Sequence, residues 1–142
     1  MENIKNLKEW RSEEIAKIFL LRSSYDLCID KFPTPMFDFF VCLRENTNVK
    51  FAVEVKISSS FKNSLKKQFE YLKTYRDANL INIPVLLFKI DEVNETGELD
   101  FLVIPSFIEQ KLLIRNDFQF QNLNKENLDN KIAAIVKWCE KK

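Results

Sequence analysis

The chemistry this sequence can offer is concentrated in Asp38, Glu54 and Lys56. All three lie between Phe37 and Ile57 (FDFFVCLRENTNVKFAVEVKI). There, two apolar-rich runs flank Asn46-Thr47-Asn48, residue types that favour turns and tolerate left-handed backbone. The pattern predicts a β-hairpin. Pairing Arg44 with Val49 sets Asp38 opposite Val55, and a register one residue different sets it opposite Glu54, so the two carboxylates meet or nearly meet. Because strand side chains alternate, Glu54 and Lys56 share one face while Phe51, Val53, Val55 and Ile57 form the other. Phe37, Phe39, Val41 and Leu43 make a matching apolar face, leaving Asp38 on the side of Glu54 and Lys56.

Like charges opposed across strands repel, so an Asp and a Glu held there point to a cation between them. Ligands that are all oxygen favour Mg²⁺ or Mn²⁺ over zinc. A lysine on the same face can orient a water nucleophile or neutralise charge on a phosphoryl group. The set suits hydrolysis of a phosphodiester. The spacing also fits a plainer arrangement, in which Asp38 starts a strand and Glu54 and Lys56 belong to a solvated face of alternating charge.

The elements that must position these residues follow from periodicity. Asn3 to Arg22 reads as a helix with Ile4, Leu7, Ile15, Ile18 and Leu21 at helical spacing, and Glu14 falls on or beside that stripe. Tyr25 to Ile29 is a short strand. The loop from Asp30 to Pro35, kept irregular by Pro33 and Pro35, would cross the mouth of the site, with Asp30 either an extra ligand or a solvated turn residue. Ser58-Ser59-Ser60 offers an N-cap to a helix from Phe61 to Asn79 with an apolar stripe of Phe61, Leu65, Phe69 and Leu72, against which Gln68 lies. Ile83 to Asp91 and Leu99 to Pro105 read as strands joined by a turn around Glu95-Thr96-Gly97-Glu98. The first of them should lie parallel to the strand of Glu54 after a helical crossover. Ser106 to Leu123 is read as a short helix and then a strand through Phe118 and Phe120. Asn124 to Lys142 is an amphipathic helix on Leu128, Ile132, Ile135, Val136 and Cys139, with Trp138 assigned to the core.

The strings Phe-Asp-Phe-Phe-Val and Ala-Val-Glu-Val-Lys, with an acid-bearing helix before them and another helix after, resemble the PD-(D/E)XK superfamily of restriction-endonuclease-like nucleases. Within it they are similar to an uncharacterised bacterial group, and the similarity runs from about Glu14 to Pro105. The signature proline is displaced, since Met36 and Phe37 precede Asp38 while Pro33 and Pro35 lie upstream. The resemblance implies an α/β fold with a three-layer core, a mixed β-sheet flanked by helices in the order α-β-β-β-α-β-β, here with a C-terminal helix added. It implies that Asp38 and Glu54 bind the metal, that Val55 lends its backbone carbonyl, and that Lys56 assists the attacking water. It further implies a metal-site carboxylate from the first helix, for which Glu14 is the candidate. Some members carry Gln-x-x-x-Tyr on the second helix; here Gln68 is followed by Tyr71 and Tyr75, so Gln68 is carried over as an auxiliary site residue only.

Composition bounds the rest. With 142 residues, 46% hydrophobic and 13% aromatic, the chain suits one folded domain over residues 1–142. It has no histidine, one glycine and three scattered cysteines, Cys28, Cys42 and Cys139, without a Cys-x-x-Cys. Zinc sites, His-dependent nucleophiles and glycine-rich phosphate loops are thereby excluded. No charged-then-apolar leader and no apolar run near the ~20 residues of a membrane span is present, so a cytoplasmic protein away from membranes is expected. Net charge is +1, but Lys50 to Arg76 holds seven basic residues against two acids. Lys62, Lys66, Lys67 and Lys73 of that stretch are the candidates for nucleic-acid contact, against the plainer role of a solvated helix face. The expectation is a Mg²⁺- or Mn²⁺-dependent nuclease acting on nucleic acid, DNA before RNA, in restriction, repair or defence against mobile DNA. The alternative is a non-catalytic nuclease-like module that binds nucleic acid or a partner protein, and a homodimer is compatible with either.

Overall fold

The computed structural model describes residues 2–61, 66, 68–70, 72–74 and 81–141, the first five by backbone alone. Its elements run α1 (Glu2–Leu21), β1 (Leu27–Lys31), β2 (Phe39–Leu43), β3 (Lys50–Ile57) and a 3₁₀ turn (Ser58–Ser60). Helical residues within 61–74 follow, then β4 (Val85–Asp91), β5 (Thr96–Ser106), β6 (Lys111–Ile114), β7 (Gln121–Asn122) and α2 (Lys125–Lys141). The protein is thus a mixed α/β structure around one seven-stranded sheet in the order β1-β2-β3-β4-β5-β6, with β7 paired to β5 beside β6. β3 and β4 are parallel and the other pairs antiparallel, as a helical crossover between them requires. Among the described residues no helix is long and apolar enough to cross a membrane.

Alternation along the central strands builds a core on each face. Val41, Phe51, Val53, Leu86, Phe88 and Ile90 point to one side, where Ile15, Ala16 and Leu20 of α1 and Leu128, Ile132 and Ile135 of α2 cover them. Ala52, Val85 and Leu87 point to the other, beneath Leu72 and the partly buried Phe61 and Phe69 of the crossover helical residues. α2 is the helix its periodicity promised. Asn124 Oδ1 caps it by accepting the Asn127 N–H at 2.8 Å, and buried Trp138 joins the stripe. The hairpin turn also forms where expected, with the Asn46 side chain accepting the Asn48 N–H and its carbonyl accepting the Val49 N–H.

Three local expectations are corrected. The buried side of α1 is Ser12, Ile15, Ala16 and Leu20, whereas Leu7, Ile18 and Leu21 are exposed. The helix is apolar on two sides, and the side bearing the larger residues is the one turned to solvent. Residues 106–123 contain no helix; a turn leads into β6, and Phe118 and Phe120 lie outside any strand, stacked at 5.2 Å and packed on Phe61 and Phe69. Burial of their rings in the second core takes the place of a ladder. Phe37 belongs to that second core instead of the face of Phe39 and Val41, because the strand alternation breaks at Asp38.

Gly97 is needed where β5, β7 and the end of β4 crowd together. A Cβ there would stand 2.8 Å from Ile90 Cδ1 and 3.1 Å from the Lys89 carbonyl oxygen. Its own carbonyl accepts the Leu123 N–H that fastens β7. Gly97→Ala should therefore cost about 1–3 kcal/mol by overpacking. Chemical denaturation reads this directly, and a loss under about 0.5 kcal/mol would mean that β7 moves aside freely.

Candidate functional site

Of the two registers open to the hairpin, the structure adopts the one with Phe39 opposite Val53 and Val41 opposite Phe51. This choice keeps apolar residues opposite apolar ones on the core face, and it brings Asp38 level with Glu54. The regular ladder ends there. If β2 continued, the carbonyl of residue 37 would accept the Val55 N–H; instead Asp38 Oδ2 accepts it at 2.7 Å. Beyond this point β3 pairs only with β4, through Val55, Lys56 and Ile57 opposite Phe88, Lys89 and Ile90. A fork therefore opens in the sheet, closed on one side by an Asp carboxylate.

Glu54 lies just inside the fork, 6% exposed. Burial pushes its carboxyl well above the ordinary carboxylate range; hydrogen bonding to Asp38 and the charge of Asp38 push the same way, opposed by Lys56 and Gln68. Lys56 Nζ stands 3.9 Å from Glu54 Oε1, and Gln68 Nε2 donates to Glu54 Oε2 at 2.5 Å. The Gln68 carbonyl oxygen is itself buried without a protein partner. From α1, on the opposite face, Glu13 reaches the point where the ladder stops and hydrogen-bonds Asp38. Burial and then Asp38 raise its carboxyl from 4.5 to about 7, with Lys31 pulling it down. Two carboxyls can hydrogen-bond only through a shared proton. The result is a chain, Glu13 to Asp38 to Glu54, in which Asp38 is the middle link. Among the described residues no three His, Cys, Asp or Glu side chains form a ready-made metal-ligand group. The carboxylates are linked in series and do not close around one point.

Asp38, Glu54, Lys56 and Gln68 thus meet as the sequence suggests, and Val55 meets them through its N–H. The helix acid that joins them is Glu13; Glu14 is exposed on the far side of α1. The stripe that placed Glu14 inward is the solvent-facing one, so the assignment shifts by one residue. Asp30 is exposed within β1, opposite Phe40. Of the four lysines, Lys62 and Lys67 lie outside the described residues. Lys66 and Lys73 are exposed, two and five positions from Gln68, which at 3.6 residues per turn turns them away from it. Positive charge at the fork comes from other residues. Lys31 acts on Glu13, and Lys89 sits level with Lys56 on β4, its Nζ about 5 Å above the Phe61 and Phe120 rings and 3.9 Å from Glu98. In the sequence, only its place four residues after Val85 in an apolar strand marks Lys89. Searches against protein-family models, curated proteins and solved structures return no match for this chain.

Proposed function

We propose that the chain is a nuclease of restriction-endonuclease-like architecture, hydrolysing phosphodiester bonds of nucleic acid, DNA in the first instance, at the fork between β2 and β3. The observation that carries this reading is the meeting of Asp38, Glu54 and Lys56 in one place, with two carboxylates driven together and one of them buried. Such a donor set suits a hard divalent cation, because adjacent carboxylates can both stay charged only beside a cation and otherwise share a proton. Asp38 and Glu54 would hold Mg²⁺ or Mn²⁺ there, and the ion would supply Lewis-acid activation of water and neutralisation of phosphate charge. Gln68 fixes the orientation of Glu54 through its amide, and Glu13 reaches Asp38 from α1. Lys56, partly exposed beside Glu54, presents an ammonium to a phosphoryl group or to the attacking water. Lys89 adds a second cation one strand away, suited to a neighbouring phosphate.

The alternative is a non-catalytic module of the same fold that binds nucleic acid or a partner protein. Lys56→Ala separates the two. Lysine makes no bond to the cation, so the substitution should leave nucleic-acid affinity within a few-fold while cutting cleavage of DNA or RNA in Mg²⁺ or Mn²⁺ by roughly 10²-fold or more. Cleavage should vanish with EDTA. If the natural chain binds without cutting in either metal on long incubation, the binding module replaces the nuclease.

A further inference from the structure

The exposed side of α1 has a regular composition. Leu7, Trp10, Ile18 and Leu21 leave 53%, 62%, 47% and 65% of their surface in water. At 3.6 residues per turn they fall, with Glu14, within a strip roughly 80° wide, opposite the buried Ser12, Ile15, Ala16 and Leu20. Spacing within the strip is symmetrical about Glu14: Trp10 and Ile18 lie four residues to either side, Leu7 and Leu21 seven. Basic residues repeat the symmetry, with Arg11 three before Glu14 and Lys17 three after.

A two-fold contact brings the same patch of both copies together, so residue i of one meets residue j of the other and the reverse. An antiparallel pair of α1 helices with its axis at Glu14 meets that condition over the whole strip. Leu7 then faces Leu21 of the second copy and Trp10 faces its Ile18. The two glutamates at the axis lie among four basic side chains, Arg11 and Lys17 from each copy. A partner of unrelated sequence would need no such symmetry. We infer that this face of α1 is the interface of a homodimer built on an antiparallel α1 pair. The patch, on the order of a few hundred Å², falls short of the roughly 800 Å² per copy usual in stable complexes, so association should be reversible and in the micromolar range. The contact leaves Glu13 and the fork outside it, one on each copy.

Sedimentation velocity across micromolar to near-millimolar concentrations should show a monomer–dimer equilibrium. Trp10→Glu should weaken it by roughly 30-fold or more, since the exposed aromatic of such a strip is its main anchor. Orientation is read by mild oxidation. Glu14→Cys should link to itself across the axis, mapped by peptide mass to distinguish it from the native thiols, whereas Leu7→Cys should not, because it faces position 21. All three positions are exposed, and circular dichroism checks that the variants fold. A chain that stays monomeric throughout, or whose strip takes up only a different protein, would overturn the inference. A dimer indifferent to Trp10→Glu, or a self-link at position 7 in preference to 14, would do the same.

Discussion

The Asp38→Asn variant should be more stable than the natural chain above pH 7 without divalent cations, and the proposed cleavage activity should fall by roughly 10³-fold or more. Asn retains an oxygen to accept the Val55 N–H, so the end of the β2–β3 ladder survives. What disappears is the charge that faces Glu13 and Glu54. The sign follows from proton uptake. Both glutamates hold protons more tightly folded than unfolded, so the folded chain binds more protons between their ordinary value of 4.5 and their raised values. Stability therefore declines as pH rises through about 7 for Glu13, and the raised Glu54 carboxyl acts in the same direction. After discounting for the solvent that reaches Glu13, its part is on the order of 1–2 kcal/mol. Removing the Asp38 charge should flatten this slope without abolishing it, because burial is the larger cause at both glutamates. Mg²⁺ or Mn²⁺ should raise the melting temperature of the natural chain at pH 8 by mass action and leave the variant unmoved. Equal metal-induced shifts in both proteins would place the ion elsewhere.

Asp100→Ala should be severely destabilising, at about 3–5 kcal/mol, although it lies away from the fork. Asp100 is 1% exposed on β5, and its carboxylate is fully engaged. It accepts the Phe101 N–H at 2.7 Å and the Gln119 N–H at 2.9 Å, with Arg115 Nε at 3.4 Å and Lys131 Nζ at 3.5 Å. Through these contacts one side chain joins β5, the segment after β6 and α2, where Lys131 also lies over the Phe101 ring at 5.2 Å. Truncation leaves two poorly exposed cations and two amide N–H groups without their acceptor. Urea titration measures the loss, and Asp117→Ala is the control, since Asp117 is 87% exposed and 3.8 Å from Arg115. A loss at position 100 no larger than at 117 would show that water replaces the carboxylate without strain.

The fork was legible because its residues are close in the chain and obey a period of two. Alternation alone puts Glu54 and Lys56 on one face; two registers were open, and the structure takes the one that levels Asp38 with Glu54. Gln68 was legible from its place against the stripe of the crossover helix. The Asp100 cluster was not, since Asp100, Arg115 and Lys131 carry no shared period and meet only when α2 closes over the edge of β5. Lys66 and Lys73 were expected at the site because charge counts have no direction, and their helical phase relative to Gln68 turns them from it.

What the sequence determined by itself was therefore the hairpin, the parallel crossover into β4, the amphipathic α2, and the sharing of one face by Glu54 and Lys56. Each rests on contacts between residues near in the chain, where backbone geometry sets the period. Only the tertiary structure decided which side of α1 meets the sheet, and so that Glu13, not Glu14, joins Asp38. A helix apolar on two sides has no local preference between them. The choice was made by the fit of the small residues Ser12 and Ala16, with Ile15 and Leu20, against the strands, which leaves Trp10 and its neighbours facing water.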